Sequence, residues 1–286
     1  MQPINMKRSS MNKLATVLTI SLLGFTGCKQ DEASESASTT QSLDNFSKES
    51  DEALTTNSCG ITYTGKETLP DYVQDVRSSV KGADDYRNVA LGVMTAVPER
   101  LLGSFFGLKG KVIITAKAES ICSRVKFAGA EKDLAANNKI SSCWHQPAPG
   151  QPPEIVLPEN KEQIKHSLLR LFAYTFTEGL VEATASSTDA DRKNPAKNFV
   201  DERDKLSRSF LYDLRDLDKK EAFLRLNKFR KADPNAYANY FFAEAIDSYY
   251  CSDESRAKFQ ESYKRTWKRF TNEKKANSPV KLFGVR

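Results

Sequence analysis

The chain has 286 residues, 39% hydrophobic and 28% charged, with a formal net charge of +6. That length allows one large domain or two small ones. The composition fits a soluble globular body and excludes a chain too polar to build a core.

The front end is a processing segment and is set apart from the fold. Residues 11–28 read MNKLATVLTISLLGFTGC. Lys7, Arg8 and Lys13 supply positive charge, and Leu14 to Phe25 form an apolar run too short to span a bilayer stably. The small residues Thr26 and Gly27 then lead to Cys28. Residues 1–27 resemble a bacterial lipoprotein signal peptide with its lipobox, with Phe25 where Leu is usual. The alternative is an ordinary secretory signal with an incidental cysteine. The resemblance implies that Cys28 takes a diacylglyceryl group and further acylation, palmitate being typical, and becomes the anchored residue. Each buried methylene contributes about 0.8 kcal/mol, so two or more chains hold a protein on a membrane. Lys29 after the cysteine, in place of Asp, points to the outer membrane, facing the periplasm or the cell surface. Nucleic acid is a poor partner for such a protein.

Residues 28–58 are the lipidated cysteine and an acidic tether. Residues 29–58 carry seven acids and two lysines, and their few large apolar groups cannot offset the entropy of ordering the chain. With −5 there and +3 in the signal, residues 59–286 hold +8. A basic body is attracted to anionic lipid, envelope glycan or an acidic protein; simple solubility explains the charge equally well. Four cysteines remain, Cys59, Cys122, Cys143 and Cys251, an even number that points to two disulfides. Three connectivities are open. Cys122 with Cys143 closes a short loop and leaves Cys59 with Cys251. No CxxC spacing supports a zinc site made of these four.

In the body, LPDYVQDVRSSVKG reads as a helix from Pro70 to Gly82. A second helix runs from Asp84 or Asp85 to Ala96, and Pro98 starts a third, PERLLGSFFG. KVIITAKAE reads as a strand, with a second short strand around Ile121 to Phe127. CWHQP and QPAPGQPP read as loop, and EIVLP as a short buried strand. A long helix from Glu159 to about Ala185 places Ile164, Leu168, Leu171, Phe172 and Phe176 on one side. Helices over 199–216, 219–231, 234–250 and 254–271 follow, Asp233 capping the third, and SPVKLFGVR is a tail. The expected class is α+β and mostly helical, with a small mixed sheet, a long central helix and a helical C-terminal half.

The order LPDYV, VPERLLGSFF, KVIIT, SSCWHQPAPGQPPEIVLP, a long helix, then YFFAEAIDSYYCSDESRAKFQESYKRTWKRF resembles the lethal-factor-like zincins, a metallopeptidase family, over roughly residues 61–271. The resemblance implies a zincin-like domain over residues 59–286. Zinc in that family is held by two His one turn apart in HExxH, with the intervening Glu as general base and an acidic residue on a later helix completing the shell. Here the window is His166-Ser167-Leu168-Leu169-Arg170. His166 matches the first ligand. Ser167 replaces the base, and Arg170 replaces the second ligand with a guanidinium that stays protonated. Tyr240 falls at the third ligand, Asp233 near a family Tyr, and Glu244 at a position that supports a ligand without binding metal. On residues 161–176 alone, His166 reads as a surface His of an amphipathic helix. The expectation is a site without zinc, in which Arg170 pairs with Glu244.

The other constellations are weaker. Ser167 and His166 are adjacent on a helix and point about 100° apart, so they form no dyad. Trp144 packs on the sheet or a disulfide. The cations of KRTWKRF, Lys264 to Phe270, either meet an anionic surface or lie on a solvated face. The expected function is binding, of a protein, a peptide or an envelope component. Two alternatives are a hydrolase with a non-standard metal shell that recruits His145, and a structural envelope scaffold.

Overall fold

A computed structural model describes residues 59, 63–75, 80–82, 84–122, 142–145, 147, 151–177, 190–275 and 278–284. The signal, the tether, residues 123–127 and the end of the long helix as expected from sequence lie outside the described residues.

Helix α1 is short, Asp71–Asp75. The expected continuation to Gly82 is corrected: Val80 to Gly82 are not helical. Lys81 bridges in parallel to Ile113, and its carbonyl accepts from Ile114 N at 2.7 Å. Gly82, at φ +139°, is required because an added Cβ would lie 2.8 Å from Ile114 Cβ. Helices α2 (Asp84–Met94) and α3 (Glu99–Gly107) follow, Pro98 occupying the N-cap of α3.

Strand β1 (Lys111–Ile114) ends one residue before the β-branched run Val112 to Thr115 does. Ala118–Cys122 is helix α4, which overturns the expected strand at Ile121; Ala, Lys and Glu around it favour helix. Strand β2 (Cys143–His145) corrects the loop expected for His145. Three residues are too few for a period-two pattern, and the ladder to β3 (Glu154–Leu157) makes the strand. The sheet order is β1-β3-β2, with β3 parallel to β1 and antiparallel to β2. Central β3 alternates: Ile155 and Leu157 join the main core, and Val156 joins a small cluster with Ala118, Cys122 and Cys143.

Helix α5 (Lys161–Thr175) is capped by Asn160, whose side chain accepts from Gln163 N at 3.1 Å. It packs on α2, on the sheet and on α8 (Pro234–Tyr250). Between them in sequence lie α6 (Ala190–Asp216) and α7 (Lys220–Ala232). The expected single helix over 254–271 is two, α9 (Asp253–Ser262) and α10 (Lys264–Phe270), broken at Tyr263. The tail folds as α11 (Pro279–Phe283), capped by Ser278, and Tyr250 donates to Gly284 O at 2.6 Å. Among the described residues no helix is long and apolar enough to cross a membrane.

Two disulfides are present, Cys59–Cys251 and Cys122–Cys143. The first spans 192 residues, which on the chain-entropy estimate is worth about 5 kcal/mol.

The break at Tyr263 is held from outside its own segment. No side chain of the Tyr263 N-cap caps α10. Buried Asp213 of α6 accepts instead from Arg265 N (3.0 Å), Thr266 N (2.8 Å) and Thr266 Oγ1 (2.7 Å). A carboxylate at a helix N-terminus meets unsatisfied N–H groups and a favourable dipole. Asp213→Ala is expected to lower stability by about 3 kcal/mol. Urea unfolding measures the loss, and hydrogen exchange should show it first at residues 264–267; unchanged protection there would exclude this capping role.

Candidate functional site

Helix α8 is buried on nearly all sides: the described burial covers Tyr237, Phe241, Phe242, Ile246 and Tyr249 together with Glu244 and Asp247. Glu244 and Asp247 are three residues apart and share one face. On α5, His166 and Arg170 are four apart and also share a face. The two faces meet. Arg170 Nη1 lies 2.9 Å from Glu244 Oε1, and Arg170 Nε donates to Asp247 Oδ2 at 3.2 Å. Side-chain exposure is 4% for Glu244, 1% for Asp247 and 22% for Arg170, so the carboxylates are inside and the cation reaches in from the rim.

The Arg170–Glu244 pair expected from sequence is present. Asp247 was not singled out from sequence, although it completes the group. Its signal is two acids one turn apart in an otherwise apolar helix, a pattern that demands a cation nearby.

Burial pushes the Asp247 carboxyl above its ordinary value, while the charge and hydrogen bond of Arg170 and the nearby His166 pull it back. Its second oxygen, Oδ1, lies 3.2 Å from Cys59 Sγ. That sulfur is in the Cys59–Cys251 disulfide and has no hydrogen to donate. The contact becomes a hydrogen bond only when Asp247 itself carries the proton and donates it to sulfur, which agrees with the upward shift.

The remaining sequence-predicted residues are placed as follows. His166 and Ser167 lie half-buried on α5. Tyr240 is partly buried, edge-on to the Phe241 ring at 5.0 Å. Asp233 caps α8, accepting from Ala236 N at 3.0 Å. Tyr263 is near the site too: burial, then Glu244 and Asp213, push its hydroxyl well above the usual phenol range. His145 Nε2 lies 3.6 Å from Glu154 Oε2 across the β2–β3 ladder, and Trp144 packs against the main core. Within KRTWKRF, Arg265 pairs with Asp216 at 2.7 Å and Arg269 with Glu202 at 2.6 Å. Two of the four cations of that stretch are thus paired with acids, which they share with Arg215, Lys205 and Lys275.

The residues at the HExxH window do not fit zinc. Arg170 has no lone pair to give, and its guanidinium is already engaged by Glu244 and Asp247. The arrangement can hold two helices in register, and the residues between His166 and Arg170 are Ser167, Leu168 and Leu169, none of them an acid. A comparison with protein-family models finds no match, and a comparison with curated proteins finds none either.

Removing one member of a buried ionic group leaves the others uncompensated, whereas neutralising all of them together costs far less. Arg170→Met is expected to lose about 3–5 kcal/mol, and Arg170→Met/Glu244→Gln/Asp247→Asn to regain most of it. Chemical denaturation of the two variants decides this. If the triple variant is the less stable, the ionic group is not a closed unit.

The Asp247 shift also fixes a pH slope. A raised folded-state pKa gives stability that is full below the unfolded value, about 3.9 for Asp, and is lost as pH rises through the folded value. Wild-type stability should therefore decline from that point upward relative to Asp247→Asn, measured as the difference in unfolding free energy against pH. A difference that grows with pH would mean that Arg170 outweighs burial.

Proposed function

We propose that this protein is a lipid-anchored envelope protein whose lethal-factor-like, zincin-type domain has lost peptidase chemistry and works by binding. The ligand class is a protein, a peptide or an anionic envelope component, reached from the outer membrane through the tether. The observation that carries this reading is Arg170: at the position of a metal ligand it places a fixed cation on Glu244 and Asp247. The ion pair fills the position of a metal ligand and keeps the helices locked, while the hydrolytic function is gone. The basic balance of residues 59–286 favours an acidic partner over a neutral one.

Metal content is the first test. Oxidised protein prepared without a His tag should contain no stoichiometric zinc by elemental mass spectrometry. About one zinc per chain, lost in His166→Ala, would favour a hydrolase with a non-standard shell instead. The zincin origin has its own test. Ser167→Glu/Arg170→His/Tyr240→Glu rebuilds the two His, the base and the third ligand, and should take up about one zinc per chain. A folded variant that binds none would remove the basis for the family reading.

The anchor is tested separately. Cys28→Ser should abolish the acyl mass increment and move the protein from the membrane pellet to the soluble fraction. Retention of both in the variant would show that Cys28 is not the anchored residue.

A further inference from the structure

Cys59, Asp247 and Cys251 come from the start of the domain, the middle of α8 and the residue after α8. Their ligand atoms all lie within 4.8 Å of one another, and all three residues are buried. Two sulfurs and a carboxylate oxygen are a donor set for a thiophilic cation, but not while the sulfurs are joined: a disulfide has neither thiolate charge nor a free donor pair of comparable strength. The carboxylate is the unusual member. A disulfide in a core ordinarily packs against apolar groups, whereas here Asp247, 1% exposed, aims Oδ1 at Cys59 Sγ from 3.2 Å. Its other oxygen is held by Arg170, so Oδ1 is fixed in direction whatever the sulfurs do.

We propose that the dithiol form of Cys59 and Cys251 is a binding site for a thiophilic divalent cation such as zinc, with Asp247 as third ligand and His166 as fourth. Reduction by a dithiol reductant of the thioredoxin class breaks the S–S bond and forms two S–H bonds. The reductant supplies two electrons and two protons and closes its own disulfide. Metal binding then expels both thiol protons and leaves two thiolates on the cation. The two sulfurs, once unbonded, must separate to roughly 3.7 Å, the spacing of two thiolates on tetrahedral zinc. Asp247 is already beside the sulfur and needs little movement, whereas His166 lies outside the 4.8 Å group and its ring must swing in to complete the shell. Cys59 N donates to Lys165 O at 3.4 Å, which seats Cys59 against the turn of α5 that carries His166, and His166 acts electrostatically on Asp247.

Charge favours occupancy. Two thiolates and one carboxylate give −3 against +2, and the adjacent Arg170 and Glu244 cancel. The site differs from the zincin one, because of its proposed ligands only His166 lies in the HExxH window, and it does not depend on whether the oxidised protein is a binder or a scaffold. The same two cysteines thus give the chain two closures: a covalent one under oxidising conditions and a metal-bridged one under reducing conditions.

The experiment uses the full chain carrying Cys28→Ser/Cys122→Ser/Cys143→Ser, so that only Cys59 and Cys251 can be reduced. The oxidised and dithiol-reduced forms are titrated with Co²⁺ and then Zn²⁺, and free thiols are counted. The reduced form should bind one equivalent of Co²⁺ with a thiolate-to-cobalt charge-transfer band, which Zn²⁺ displaces; the oxidised form should show no such band. Cys59→Ser should remove the band, and Asp247→Asn and His166→Ala should each weaken binding by at least about tenfold. If the reduced chain unfolds, Zn²⁺ should refold it, read as recovered helical circular dichroism and a raised Tm. No charge-transfer band, no refolding by Zn²⁺, or unchanged affinity in both Asp247→Asn and His166→Ala would each overturn the proposal.

Discussion

A single guanidinium sits between two carboxylates on a helix that is buried on nearly every side, and the helical half of the protein is organised around it. Arg170 reaches Glu244 and Asp247 across the α5–α8 contact. The carboxylates cannot be hydrated where they are, and a buried charge without a partner costs several kcal/mol. A slide of α8 along α5 by one turn would separate the cation from one acid or both. The apolar residues on the same helices tolerate many relative positions; the ionic group selects one. This is the specifying role that buried polar groups serve, distinct from raw stability.

The same logic recurs nearby. Asp213 of α6 caps α10 from across the interface. Arg203, fully buried, donates to Asn239 on α8 and to Asp204. Tyr237 donates to Ser207 O at 3.0 Å. These bonds tie α8 and α10 to α6 by directional contacts, while rings such as Phe210, Phe241 and Tyr263 stack to fill the space between. The small sheet is specified differently. Its central strand alternates between two apolar faces, and the Cys122–Cys143 disulfide closes the cluster on one of them.

Charge in this site has two possible owners. In the oxidised chain the cation is Arg170, permanently charged and covalently attached. In the reduced chain the two sulfurs are thiols beside Asp247 Oδ1, and they become anions when a metal ion displaces their protons and supplies the counter-charge. A carboxylate with one oxygen on an arginine and the other on a disulfide connects these two states, because any change at the sulfurs is felt through Asp247 by the α5–α8 lock.

Much of this was legible in the sequence. Composition and periodicity determined the mostly helical α+β class, β1 and β3, the central helix, and the span of α8 with Asp233 as its cap. Cysteine parity pointed to two disulfides, and the resemblance to an HExxH helix, with Arg170 where a second His would stand, led to the expected pairing with Glu244. Short elements were not legible: β2 has three residues, and its strand character comes from β3 rather than from itself. The break at Tyr263 was hidden for the same reason, since the cap belongs to α6, 50 residues earlier in the chain. Asp247 was hidden because its partners, Arg170 and Cys59, are 77 and 188 residues away. Local pattern sets which residues are helical and which face is apolar. Which acid meets which cation, and which sulfur meets which carboxylate, depends on packing between distant segments, and that only the tertiary structure decided.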